Sequence, residues 1–161
     1  MSTVLISIMG NPSQSCLDSI NNYDVVVFSE ELLKNCSEYN IVTEQSNWFR
    51  AAIQDAFKDK FDYLYIMNNK TNLKPNCIET ILENFNKDDI SLYSDFDILY
   101  ATGLSYRNFL ISINENPVDV GHNIMINMKK IDKEYPDKNS LIYGSNLITK
   151  HLPESLYIYN D

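Results

Sequence analysis

The segment Phe61–Asn72, FDYLYIMNNKTN, constrains this chain most. Its consecutive bulky residues Tyr63-Leu64-Tyr65-Ile66-Met67 predict a central strand. The run stops abruptly at the polar loop Asn68-Asn69-Lys70-Thr71-Asn72. Leu73-Lys74-Pro75 then leads into a predicted helix over Cys77–Phe85, with Ile78, Ile81, Leu82 and Phe85 on one face. In open α/β sheets, ligands bind outside the carboxyl ends of the strands. Asn68–Asn72 is therefore the first candidate site.

The preceding segments repeat the pattern. Val4–Met9, VLISIM, predicts a first strand. Gly10-Asn11-Pro12-Ser13 is a turn, and a helix begins near Cys16 with Ser13 or Ser15 as its cap. Asp24–Phe28, DVVVF, is nearly continuously apolar, as in a strand buried on both faces. Tyr39–Val42 predicts a short third strand. Ser46–Phe57 is the best-defined helix: Phe49, Ala52, Ile53, Ala56 and Phe57 recur at three- and four-residue steps. Alternating strands and helices predict one three-layer α/β domain over residues 1–161, with a mostly parallel sheet. The second half is less regular. Ser91–Tyr93 and Ile98–Leu104 are short apolar segments around Ser94-Asp95-Phe96-Asp97. Asn108–Ile113 fits a strand or a helical turn. Ile124, Ile126 and Met128 share one parity, as in a strand. Leu141–Tyr143 and Leu156–Tyr159 read as late short strands or packing segments.

A chain of 161 residues, 44% hydrophobic, can bury one real core. Its formal net charge of -9, with no Lys/Arg cluster, argues against non-specific binding to nucleic acid or anionic membrane. No stretch is long enough for a transmembrane segment, and the start lacks the basic region of a signal peptide. Cys16, Cys36 and Cys77 form neither a zinc spacing nor a redox pair. They read as buried thiols in a reducing compartment, the cytoplasm. No phosphate-binding loop, dinucleotide fingerprint or Gly-x-Ser-x-Gly elbow is present.

Asp95 and Asp97 form a close acidic pair. If Phe96 points into the core, both acids point the other way. They could hold Mg²⁺ or Mn²⁺, or one could act as a general base; a polar strand end is the plainer reading. His122 and His151 lack a partnered motif and read as core-edge or surface residues. Arg50, in the first turns of its helix, could reinforce a phosphate at the helix N-terminus or make a surface ion pair. Trp48 reads as a stacking platform or a core anchor.

The order of Val4–Met9, Asp24–Ser29, Asn47–Ala56 and Tyr63–Pro75 resembles the nucleotide-binding half of A-type glycosyltransferases, notably the inverting, family-two-like enzymes. The matching pieces are Gly10-Asn11-Pro12, Phe28-Ser29-Glu30, Asn47-Trp48-Phe49-Arg50-Ala51-Ala52, and Asn68-Asn69-Lys70-Thr71 with Leu73-Lys74-Pro75. The resemblance implies a nucleotide-diphospho-sugar transferase-like fold and transfer of a sugar from a nucleoside-diphosphate donor to a hydroxyl acceptor. It implies that Asn11, Glu30 and Asn47 line the nucleotide site, with Arg50 among the substrate-binding residues. Asn68, Asn69 and Lys70 would face the diphosphate, and Asp95 or Asp97 would bind metal or act as base. Lys70 stands where the family has a metal-binding Asp. An ammonium cannot ligate a cation that wants oxygen donors, but it can neutralise a diphosphate directly. Two expectations follow. One is a transferase that uses Mn²⁺ or Mg²⁺, or no cofactor at all. The other is a glycosyltransferase-like chain that has lost its chemistry and binds a protein partner or forms a homo-oligomer.

Overall fold

In the computed structural model of this chain, residues 2–20, 22–28, 40–42, 48–103, 105–108, 122–131 and 149–160 are described. The apolar runs at Val4–Met9, Asp24–Phe28 and Tyr63–Asn68 form strands that bury side chains on both faces. β1 (Val4–Met9), β2 (Asp24–Phe28), β3 (Asn40–Val42) and β4 (Tyr63–Asn68) make a parallel block in the order β3-β2-β1-β4. Alternate side chains serve two cores. Ile6, Ile8, Val27, Tyr65 and Met67 pack with Cys16, Leu17, Ile78 and Ile81, which come from α1 (Gln14–Asp18) and α3 (Cys77–Asn84). Leu5, Val26, Phe28, Leu64 and Ile66 pack with Ala52, Ile53 and Ala56 of α2 (Trp48–Lys58). Helices thus lie on both faces of this block. Lys150 donates from its ammonium to Asn84 O at the end of α3, where a helix favours positive charge.

The rest of the sheet departs from expectation. Beyond β4 the order continues through β8 (Ile124–Asn127), β6 (Ser91–Leu99), β9 (Thr149–Asn160) and β5 (Thr71–Leu73), with β7 (Ser105–Asn108) paired to β6. Among the described residues, four strand pairings are parallel and four antiparallel. The sheet is therefore mixed, not mostly parallel. One cause is connection length: a parallel neighbour needs a crossover of a dozen or more residues. The link from β6 to β7 spans only residues 100–104, which permits an antiparallel hairpin.

The sheet also curls. Only Asn69 and Lys70 separate β4 from β5, yet β8, β6 and β9 lie between these two strands in the sheet order. The strand path beyond β4 must bend back toward the end of β4. Bulges assist this bend. Register shifts occur on both sides of Asp95, and Leu152 and Ser155 pair with the consecutive residues Ser94 and Asp95. The register of β9 against β6 skips Pro153 and Glu154, a place that suits a proline with no N–H to donate to the ladder. Inside the curl, Phe96 and Tyr157 stack at 4.9 Å.

Other differences are local. The expected loop at Asn68–Asn72 is a tight turn, with Asn68 closing β4 and Thr71 opening β5. The two apolar segments around Asp95 and Asp97 form the single strand β6. The predicted helices become Trp48–Lys58 and Cys77–Asn84. Leu156–Tyr159 lies within the longer β9. Cys16 and Cys77 are buried thiols without a disulfide. Cys36, Leu141–Tyr143 and most of Asn108–Ile113 lie outside the described residues. No helix of the described residues is long and apolar enough to cross a membrane.

Candidate functional site

The ends of β1, β2 and β4 meet at Gly10. Its N–H donates to Phe28 O at 2.8 Å. Its φ of +93° is a conformation that side-chain-bearing residues avoid. A Cβ at this position would also lie 3.1 Å from both Cγ and Nδ2 of Asn69. Asn69 Nδ2 in turn donates to Asn11 O at 3.0 Å. Glycine thus lets the turn after β4 close onto the turn after β1. Met9, 46% exposed, stands beside this junction.

The turn after β4 is held from within and without. Lys70 N–H donates to Asn68 Oδ1 at 2.9 Å, a side chain closing its own turn. The single hydroxyl proton of Thr71 goes to Asn68 O at 2.7 Å. Thr71 Oγ1 in turn accepts from Asn123 Nδ2 at 3.2 Å. Asn123 Oδ1 accepts the Asn68 N–H at 2.9 Å. Asn160 closes the other side: its N–H and its Nδ2 both donate to Lys70 O, at 2.9 and 3.0 Å. Lys70 itself is exposed and makes no ion pair among the described residues. Its main chain is fixed and its ammonium projects into solvent. Nearby, Ser13 Oγ caps α1 through Cys16 N at 3.1 Å, and Asn72 Nδ2 donates to Ser15 Oγ at 3.3 Å.

The structure therefore brings Asn11, Asn68, Asn69 and Lys70 together. Glu30 and Asn47 lie outside the described residues, and of Arg50 only the backbone, in the first turn of α2, is described. Asp95 and Asp97 stand apart on β6. β9 lies between β6 and β5, so two strand spacings, about 10 Å, separate the backbones. Phe96 is buried in the core on the α2 side. Asp95 is only 1% exposed, and its Oδ1 lies 2.8 Å from His151 Nε2. Asp97 Oδ2 accepts from Lys74 Nζ at 2.7 Å, and the same ammonium donates to Ser155 Oγ at 2.9 Å. A divalent ion asks for several oxygen donors at once. Here each carboxylate faces a basic side chain. Among the described residues, no group of three His, Cys, Asp or Glu gathers around a common point.

The histidines have packing roles. His151 stacks on Tyr93 at 4.9 Å. The His122 ring lies flat on Tyr159 at 3.8 Å, and its backbone N–H donates to Tyr157 OH at 3.1 Å. Beneath the turn, the wholly buried Tyr65 hydroxyl has Asn123 and Cys77 as partners, and burial raises its pKa well above the phenol range. Burial also pushes the Cys77 thiol up to about 12, which keeps it protonated and inert.

Asn123 and Asn160 are the site residues that sequence reasoning missed. Thr71 belonged to the recognised loop, but its buried hydroxyl had no signal. Asn123 follows His122 at the head of an apolar alternation, and its one signal is that of a polar residue entering a core strand.

No family model matches this chain, and no curated protein matches it. Solved structures match its fold. TarS from Staphylococcus aureus, in complex with UDP, has a TM-score of 0.62 at 8% identity, over 100% of this chain and 61% of that one. HddC from Yersinia pseudotuberculosis, complexed with GMP-PN, has a TM-score of 0.57 at 11% identity, over 98% and 93%. A Desulfovibrio desulfuricans protein described as a nucleotide-diphospho-sugar transferase has a TM-score of 0.56 at 13% identity, over 100% and 82%. The chain has a nucleotide-diphospho-sugar transferase-like fold. At these identities the likeness is one of fold alone.

Proposed function

We propose that this chain binds a nucleoside-diphosphate sugar across the ends of β1 and β4 and transfers the sugar to a hydroxyl acceptor. The observation that carries this reading is Lys70. Its ammonium projects from a turn whose N–H and C=O are both engaged, beside the glycine junction of β1 and β4. The carboxyl ends of these strands are where open α/β sheets receive ligands. The UDP and GMP-PN complexes of structures with this fold support a nucleotide as the ligand.

In this reading Asn11 and Asn69 line the nucleotide side, with Glu30, Asn47 and Arg50 as further candidates. Asn68 shapes the turn, and Lys70 meets the diphosphate as a point charge. The acceptor oxygen attacks the anomeric carbon while the bond from that carbon to the diphosphate oxygen breaks. Negative charge builds on the leaving diphosphate, and a fixed cation there stabilises the transition state. The acceptor proton goes to a carboxylate. Asp97 is the better candidate, since its side chain keeps 26% exposure while that of Asp95 keeps 2%. Lys74 must then release Asp97. The donor set at Asp95 and Asp97 favours charge compensation by Lys70 over a Mn²⁺ or Mg²⁺ ion held by those acids.

Calorimetry with UDP, GDP and their sugars, with and without Mn²⁺, tests this. The expected result is binding without metal, weakened roughly tenfold or more by Lys70→Ala, the worth of a charge-assisted hydrogen bond. Binding that requires Mn²⁺ and is lost in Asp95→Asn and Asp97→Asn would move the charge compensation to a metal. Absence of binding in every condition would overturn the transferase reading in favour of a protein partner or homo-oligomer.

A further inference from the structure

We infer that Asn123 and Asn160 are positioning residues that aim Lys70 at the diphosphate, so that an amide scaffold does the orienting work. This inference rests on the nucleotide reading of the same site. The chemistry is specific to primary amides. Asn123 is 1% exposed and sits just before β8. Its oxygen accepts the Asn68 N–H at 2.9 Å while its nitrogen donates to Thr71 Oγ1 at 3.2 Å. One side chain thus grips both ends of the turn that carries Lys70. Neither a carboxylate nor a hydroxyl offers an acceptor and a separate donor in this fork. Asn160 grips the middle, since both of its donors converge on Lys70 O. Thr71 and Asn123 are buried, so the Asn123 fork is shielded from water, which would otherwise compete for each group.

The two asparagines come from different strands. Asn123 lies 55 residues from Asn68, and Asn160 lies 90 residues from Lys70. The turn is therefore held against both sides of the curl. A lysine on a free turn would spend much of its attraction on ordering itself and its loop. A lysine on a fixed turn loses less freedom when the ligand arrives. Lys70 Nζ has no competing carboxylate among the described residues, so the cation is kept in place but unspent.

The test is a double-mutant cycle read by calorimetry, with UDP and GDP against uridine and guanosine. Asn123→Ala is expected to weaken diphosphate binding roughly three- to tenfold and to leave nucleoside binding unchanged. In the Lys70→Ala background it should cost nothing further. Independent, multiplicative losses, or equal losses for nucleoside and diphosphate, would overturn the inference, because a merely structural residue would produce them. If Asn123→Ala fails to fold, Asn160→Ala carries the test, since it leaves the buried fork intact. It should weaken UDP or GDP about threefold, and only when Lys70 is present. An unchanged affinity would overturn the Asn160 assignment. Amide exchange reads the hold without a ligand. In Asn123→Ala, the Asn68 and Lys70 amides should exchange faster while Ile6 and Ile66 stay protected. If these two amides do not change, the turn is not held by Asn123. If the wild-type protein binds no nucleotide, the nucleotide reading fails and takes the ligand role with it. Binding that Lys70→Ala weakens but neither asparagine variant affects overturns the positioning inference alone.

Discussion

Two small residues, Ser7 on β1 and Gly10 just after it, show how much local geometry decides. Ser7 is fully buried, and its Oγ finds no hydrogen-bond partner among the described residues. Removing an unsatisfied buried hydroxyl recovers its desolvation cost and leaves little void. Ser7→Ala should therefore be neutral or stabilising, by up to about 1 kcal/mol, as read from the urea midpoint. A clear loss of stability would mean that the hydroxyl has a partner. Gly10→Ala goes the other way. The new methyl carbon meets the flat face of the Asn69 amide at 3.1 Å, on a backbone whose φ is +93°. Strain of this kind costs about 1–3 kcal/mol. The relaxation available is for Asn69 to withdraw, which breaks its bond to Asn11 O. Gly10→Ala should thus lower the unfolding midpoint and weaken UDP or GDP binding together. A stability loss with full nucleotide affinity would remove the junction from the site.

At the scale of elements, the opposite end of the sheet is fastened by Asp62. Its Oδ2 accepts from Thr3 N at 3.0 Å, and Lys129 Nζ lies 3.3 Å from Oδ1. Met128 N donates to Asp62 O at 2.9 Å. One residue joins the approach to β1, the start of β4 and the segment after β8. The backbone hydrogen bond from Thr3, helped by Lys129, holds the Asp62 pKa below the ordinary carboxylate value. A depressed folded-state pKa means that the native protein favours the anion more than the unfolded chain does. The stabilisation is complete above the unfolded value, near pH 4, and is lost as pH falls through the lower folded value. Asp62→Asn should be less stable at pH 7 and lose less stability than wild type between about pH 5 and pH 2. Parallel acid-unfolding curves would remove Asp62 from this role. The elements that Asp62 joins also mark the limit of what the sequence could tell. β1, β2, α2, β4 and α3 announce themselves because each buries a whole face or stripe, which imposes a period on the residues. β6 and β9 do not, because bulges at Asp95 and at Pro153-Glu154 break the period and make each strand look like fragments. β5 is only three residues, Thr71–Leu73, whose partner, β9, is far away in the chain. The turn at Asn68–Lys70 was legible through its own chemistry. Asn123 and Asn160, which hold it, were not, because an amide acting across 55 or 90 residues leaves no local pattern.

At the scale of the whole molecule, the proposed ligand and the protein carry charge of the same sign. The chain has a formal net charge of -9, and UDP and GDP are anions. Nine net negative charges set up a long-range repulsion that salt screens over a Debye length, about 30 Å at 0.01 M and 10 Å at 0.1 M. The attraction to Lys70 acts at contact, from a turn already fixed by backbone and amide bonds, and is screened less. Salt should therefore relieve repulsion at least as much as it weakens attraction. Between about 20 and 200 mM NaCl, the affinity for UDP or GDP should stay level or rise by up to about twofold. In Lys70→Ala only the repulsion remains, so the weaker residual binding should rise with salt more steeply than in wild type. A fall of tenfold or more in the wild-type protein over this range would require several cations acting together. Lys70 alone cannot supply that response, and such a result would place the anion somewhere other than the end of β4.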